Sequence, residues 1–183
     1  MYEAVPDPYC YPGTRVLINR AGLIDQATLD AFEVEIITQR LNEPLPAGRL
    51  GVRHYCAVHR HLFGDVYLWA GKFRTVRIAK QGSAFCYPEH IDREMRGLFG
   101  QLRKQNHFRD LDPPAFAAKA AHFLAELNAI HPFREGNGLR KYRFWLPWLI
   151  APRIHSTRRD SNPLRCCMRW CAASTATSGR FQD

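Results

Sequence analysis

The string His131-Pro132-Phe133-Arg134-Glu135-Gly136-Asn137-Gly138 places an imidazole, a carboxylate and two glycines around an asparagine within eight residues. Such a set suits chemistry on a phosphate. Histidine, with an unperturbed pKa of about 6.5, is largely neutral near pH 7 and can take a proton from a hydroxyl. An ionised glutamate is a hard oxygen ligand of the kind Mg²⁺ takes alongside substrate phosphates. Glycines let main-chain N–H groups come close to an anion, and the start of a following helix would add its positive dipole end. Each residue also has a plainer reading. His131 could be a helix-end imidazole favoured by the dipole, Glu135 a solvated loop carboxylate, and Gly136-Asn137-Gly138 an ordinary turn.

The upstream chain must position this string. Asp112-Pro113-Pro114 starts a helix that the apolar spacing carries to Ile130, which would deliver His131 at its C-terminal end. Before it, Pro88-Glu89 starts a helix through Leu102. Between Lys72 and Tyr87 the pattern turns to alternation, with Val76 and Ile78 ahead of a Gln81-Gly82-Ser83 turn, and predicts a short hairpin. A further helix spans Val52 to Leu68, with Tyr55, Val58, Leu62 and Phe63 on one face. The first opens near Asp25, repeats Leu29, Phe32, Ile36, Ile37 and Leu41 at helical spacing, and ends at Asn42-Glu43-Pro44. Tyr9 to Gly13 is a Pro- and aromatic-rich, irregular entry. The fold class is mainly α with one short β-hairpin, and 183 residues suffice for one domain with a sizeable core.

HPFREGNG resembles the signature of the Fic family, usually written HPFx(D/E)GNGRxxR. Leu62-Phe63-Gly64-Asp65-Val66-Tyr67-Leu68-Trp69-Ala70-Gly71-Lys72-Phe73-Arg74 looks like the family's earlier helix and turn. Thr75 to Lys80 and Ser83 to Tyr87 look like its flap, the hairpin that aligns the target. The likeness runs from about Val16 to Gly138. It divides the chain into an N-terminal helical extension at 1–49, a Fic core at 50–138 and a divergent basic tail at 139–183.

The resemblance implies a Fic-type helical domain that transfers AMP from ATP to a Ser, Thr or Tyr hydroxyl of a target protein. By it, His131 is the catalytic base and Glu135 holds Mg²⁺. Arg134, Gly136, Asn137, Gly138, Arg140 and Arg143 bind ATP and its phosphates, with the Asn137 side chain steadying the loop. Arg77, Ile78 and Lys80 dock the target on the flap, by addition of an extended segment to its edge, though edge charges can equally serve to block pairing. Many relatives carry an inhibitory Ser/Thr-x-x-x-Glu-Gly/Asn string, which is not found here, so a small antitoxin partner is implied. Two other outcomes stay open: transfer of another phosphate-containing group, and an inactive Fic-like module that only docks a target or antitoxin.

The net charge of +9 raises the question of nucleic acid, but its distribution argues against that partner. Residues 139–183 hold nine Lys/Arg against two Asp/Glu, while residues 1–138 hold 17 against 15. The basicity belongs to the tail. No stretch approaches the roughly 18 apolar residues of a membrane span, and Met1 to Pro8 lacks the pattern of a signal peptide, so the cytoplasm is the expected compartment. The six cysteines show no paired metal-type spacing and are expected as reduced thiols. His54, His59 and His61 could suggest zinc, but no carboxylate set accompanies them, and surface or satisfied helix histidines explain them better.

After Gly138 the pattern departs from the signature. Leu139 stands where the family has arginine, so Arg140 and Arg143 keep the Arg-x-x-Arg spacing one residue late. On a helix that slip rotates side chains by about 100°. Pro147 and Pro152 then fall where the family needs an amphipathic helix, each at about 3 kcal/mol inside one. Out-of-frame translation of a normal C-terminus is one explanation, and it would leave transfer weak or absent. A genuine basic, partner-binding arm is the other. The nucleotide sequence of the gene separates them.

Overall fold

The computed structural model describes residues 7–80 and 83–138. Among them stand four α-helices and one two-stranded hairpin: α1 Gln26–Leu41, α2 Val52–Phe63, β1 Ala79–Lys80, β2 Ser83–Ala84, α3 Ile91–Lys104 and α4 Pro113–Ile130. The mainly helical fold class with a short hairpin is what the patterning predicted.

Two aromatic-rich cores share α2. On one side Val58, Leu62 and Phe63 meet Leu29 of α1, with Phe32, Ile36, Ile37 and Leu41 partly buried around them. On the other, Tyr55 joins Ile91, Met95, Phe99 and Leu102 of α3 and Phe116, Ala120, Phe123, Leu124, Leu127 and Ile130 of α4. Those α3 and α4 residues recur at three- and four-residue steps, so each helix turns one stripe inward.

The helix starts follow from capping. Asp25 accepts the Thr28 N–H at 2.8 Å, and Asp112 accepts the Ala115 N–H at 2.8 Å ahead of two prolines that have no N–H to lose. Pro88–His90 forms a 3₁₀ turn, and the regular α3 begins only at Ile91.

α2 is shorter than the predicted Val52–Leu68. It stops at Phe63, and the Val66 and Tyr67 N–H groups both fold back to the Phe63 carbonyl, at 3.0 and 2.8 Å. The turn drives Val66 and Tyr67 into the α1 side of the core, which a straight helix would have carried past it. Gly71 closes this segment at φ +78°, with its α-carbon so near α2 that a methyl group would lie 2.7 Å from the Cys56 carbonyl.

The hairpin is antiparallel, with Ala79 opposite Ala84 and Lys80 opposite Ser83. The Phe85 N–H adds a bond to the Ile78 carbonyl at 3.2 Å. No helix among the described residues is long and apolar enough to cross a membrane.

Candidate active site

His131 follows the last residue of α4 in the left-handed region, at φ 50° and ψ 63°. A non-glycine residue there is strained by roughly 1–2 kcal/mol, a cost found mostly where surrounding contacts enforce it. Those contacts are present. The His131 N–H reaches the Leu127 carbonyl at 3.1 Å, and its ring lies flat on Phe85 of the flap, centroids 3.7 Å apart and planes 17° from parallel. Nδ1 stands 3.1 Å from the Asn128 carbonyl oxygen. A carbonyl can only accept, so Nδ1 carries a hydrogen, and in the neutral ring Nε2 is the nitrogen that keeps the lone pair. Burial pushes the His131 pKa down, opposed by the Asn128 bond, while the charge of Arg74 also lowers it. Burial and the Arg74 charge thus favour the neutral ring, in which Nε2 is the acceptor.

The loop after it is anchored by Phe133, which is fully buried among Tyr55, His59 and Phe73, the Tyr55 ring stacked on it with centroids 5.3 Å apart and the His59 ring tilted against it at 3.7 Å. Asn137 is buried and locks the turn. Its Oδ1 accepts the Phe133 N–H at 2.9 Å and its Nδ2 donates to the Phe133 carbonyl at 2.6 Å. Both ends of the amide serve the loop itself, so any contribution of Asn137 to an anion comes from its main chain. Gly136 sits at φ +91°, where an added methyl group would meet His59 Nε2 at 2.7 Å and the Phe63 ring at 3.0 Å. Only glycine fits there.

Glu135 accepts the Gly136 N–H through Oε1 at 2.8 Å. It lines a cleft of about 140 Å³ with Arg134, Tyr67 and three residues of α1, Gln26, Asp30 and Glu33, among others. Arg134, expected among the phosphate-binding residues, has its guanidinium engaged elsewhere. It binds Asp7 through Nε at 2.9 Å and Nη2 at 2.7 Å, tying the N-terminal segment to the loop.

His59 turns out to be a part of the site. Its Nδ1 accepts the Gly71 N–H at 3.0 Å, so Nε2 carries the hydrogen and donates to the Glu135 carbonyl at 3.0 Å. It is a satisfied helix histidine, as expected, but the group it satisfies is the backbone of the expected metal ligand. Among the described residues no group of three or more His, Cys, Asp or Glu could hold a metal. Cys10, Cys56 and Cys86 are free thiols.

The flap's Arg77 lies over the Tyr87 ring, 4.0 Å from its centroid, so its charge is parked across the hairpin. Lys80 is exposed and Ile78 half-buried. Arg74, not singled out from the sequence, is almost completely buried and binds only backbone carbonyls with its side chain among the described residues.

Residues 49–146 match the profile of the Fic/DOC family. The chain belongs to the Fic/DOC family. The match ends eight residues past Gly138, where the likeness was expected to stop, so Arg140 and Arg143 fall inside it. Both, with the rest of 139–183, lie outside the described residues.

Curated relatives of this Fic chain include the probable protein adenylyltransferase y4lH of Sinorhizobium fredii, 54% identical over 138 residues, covering 75% of this chain and 72% of that protein. The protein adenylyltransferase VbhT of Bartonella schoenbuchensis is 41% identical over 153 residues, covering 82% of this chain but only 32% of its own length. Among solved structures, the Bartonella tribocorum effector BepC with bound AMPPNP superposes at a TM-score of 0.68 and 25% identity, covering 79% of this chain and 77% of that one.

Proposed function

We propose that this Fic domain transfers AMP from ATP to a Ser, Thr or Tyr hydroxyl of a target protein. The observation that carries it is the His131 ring, bonded through Nδ1 to the Asn128 carbonyl so that Nε2 is the nitrogen left to take a proton, at the start of the glycine loop. Relatives 54% and 41% identical are named protein adenylyltransferases, which supports the same transfer here.

Nε2 takes the proton of the target hydroxyl. The oxygen forms the new bond to the α-phosphorus of ATP, and the bond to the α,β-bridging oxygen breaks to release pyrophosphate. The phosphates would lie on main-chain N–H groups of Gly136, Asn137 and Gly138, the Gly136 N–H exchanging the Glu135 carboxylate for phosphate, with Arg140 and Arg143 completing the set, while Arg134 stays with Asp7. Glu135 would hold a Mg²⁺ ion arriving with ATP, and the ion's charge would offset that of the phosphates. The donor set fits this role and no larger one, since a single loop carboxylate suits an ion that keeps phosphate and water ligands. Arg77, Ile78 and Lys80 would receive an extended target segment along the flap edge. The same reading carries a small antitoxin as partner and, with ATP as donor, the cytoplasm as compartment.

The test is incubation of the purified chain with α-labelled ATP and lysate, wild type beside His131→Ala. A labelled protein that falls at least about 100-fold with His131→Ala is expected. No label, together with no Mg·ATP uptake by folded protein in calorimetry, overturns the proposal.

A further inference from the structure

We propose that Arg74 is the positioning residue that holds the base-bearing end of α4 and both roots of the flap in one register, so that Phe85 is kept on the His131 ring. It deepens the AMP-transfer reading and rests on it for its consequence, though not for its geometry.

The last carbonyls of a helix have no partners within it and must find donors elsewhere. At the end of α4 and just past it the donors come from the two feet of the flap. The Cys86 N–H bonds to the Ala129 carbonyl at 3.2 Å, Arg74 Nη2 to that of Ile130 at 3.2 Å, Arg74 Nε to that of His131 at 2.8 Å, and the Arg74 N–H to that of Pro132 at 2.9 Å. Four consecutive carbonyls are thus satisfied by residues 74 and 86. The same guanidinium reaches the outgoing arm of the flap, ahead of β1, at the Val76 carbonyl, 2.7 Å from Nη1, and the returning arm, after β2, at the Cys86 carbonyl, 2.6 Å from Nη2.

Electrostatics explain why a cation tolerates this place. Arg74 is 2% exposed, and burying a charge is expensive unless it is fully bonded. The negative end of the α4 dipole and charge-assisted bonds to carbonyls offset that cost. Lysine could supply the charge but not the fork, because an ammonium cannot span carbonyls on three segments in a fixed plane. An apolar side chain would leave the carbonyls of Val76, Cys86, Ile130 and His131 short of donors.

The consequence falls on His131. Its left-handed conformation needs enforcing, and Arg74 holds the carbonyls on both sides of the strained unit, those of Ile130 and His131. Through the Cys86 carbonyl it also fixes the residue next to Phe85, whose ring sets the plane of the imidazole. The anion loop is held differently, by Asn137 and His59, so the clamp governs the base and the flap rather than the nucleotide.

Three measurements test this. In the unaltered protein the Arg74 Nε–H should give a separate NMR signal that exchanges with water far more slowly than that of a surface residue such as Arg93. Exchange as fast as Arg93 overturns the clamp, whatever happens to any variant. In Arg74→Lys the ring-current shift of His131 protons from Phe85 should vanish and the Phe85 and Cys86 amides lose protection, while the Mg·ATP Kd stays within about threefold. An unchanged His131 shift in a folded Arg74→Lys chain overturns the proposal, and so does an ATP affinity that falls together with the shift, which would mark a merely structural residue. Where transfer is measurable, kcat/KM for the target should fall about 100-fold, the scale of an ångström-sized misplacement. Wild type that transfers no AMP but shows the slow Nε–H and the shift loss sinks the transferase reading and leaves the clamp standing.

Discussion

The two ends of the 131–138 loop are held by side chains of different charge. At the His131 end a buried guanidinium gathers carbonyls from α4 and the flap. At the Glu135 end a neutral imidazole, His59, joins one N–H to one carbonyl. The helix terminus concentrates negative partial charge and has several unmet acceptors, so a cation with a planar fork fits it. The turn at Glu135 has one donor and one acceptor to match, and neutral histidine is the side chain that offers one of each in a rigid ring. A group is chosen by the tally of unmet backbone partners, and its charge follows from that tally.

The comparison breaks most visibly at His59. His59→Leu leaves the Gly71 N–H and the Glu135 carbonyl without this bridge, and a loss of about 3 kcal/mol is expected in urea denaturation. A loss below 0.5 kcal/mol, on the order of a neutral surface change, would mean the bridge is idle. Gly136→Ala attacks the same end by shape, because φ +91° and the 2.7 Å approach to His59 Nε2 both oppose a methyl group. We expect about 2 kcal/mol lost and weaker Mg·ATP binding by calorimetry.

Acid sharpens the contrast. His131 and His54 both have pKa values pushed below the ordinary one by burial. Around His131, the charges of Arg74 and Lys80 add to the lowering, while the Asn128 bond and Glu135 oppose it. In the window below about pH 6.5 the unfolded chain binds protons that the folded one refuses, so stability rises with pH there and is lost as pH falls. Thermal melts should therefore show a falling Tm from pH 7 towards pH 5, and transfer should decline on the acid side as Nε2 is protonated. A Tm independent of pH across that range contradicts the burial of both rings. The smallest effect is expected at Asp7→Asn. The pair with Arg134 is partly exposed, so its removal should change stability by less than about 1 kcal/mol, and the change should shrink in high salt.

Much of the frame was legible because it rests on local rules. Asp25 and Asp112 cap where an Asp before a periodic run should, and the α3 and α4 stripes bury the residues their spacing selects. The end of α2 was misjudged because Val66 and Tyr67 continue a helical pattern in sequence yet are buried by a turn. The motif was visible by its residue types, whereas the side chains that brace it from outside, Arg74 and His59, were not. Arg74 and His59 bind backbone atoms, which every residue has, so no partner residue type announces them. Asp7 and Arg134 are 127 positions apart, too far for any spacing rule.

Sequence alone determined which chemistry is on offer: an imidazole after a helix, a carboxylate four residues on, and glycines where the backbone must bend. Those follow from side-chain type and short-range periodicity. Only the tertiary structure decided the protonation pattern and the bracing, namely which imidazole nitrogen of His131 bears the hydrogen and which buried cation holds its helix end. Tautomers and clamps are set by the nearest unmet donors and acceptors in space, and folding alone brings Asn128, Arg74, Cys86 and His131 within reach of one another.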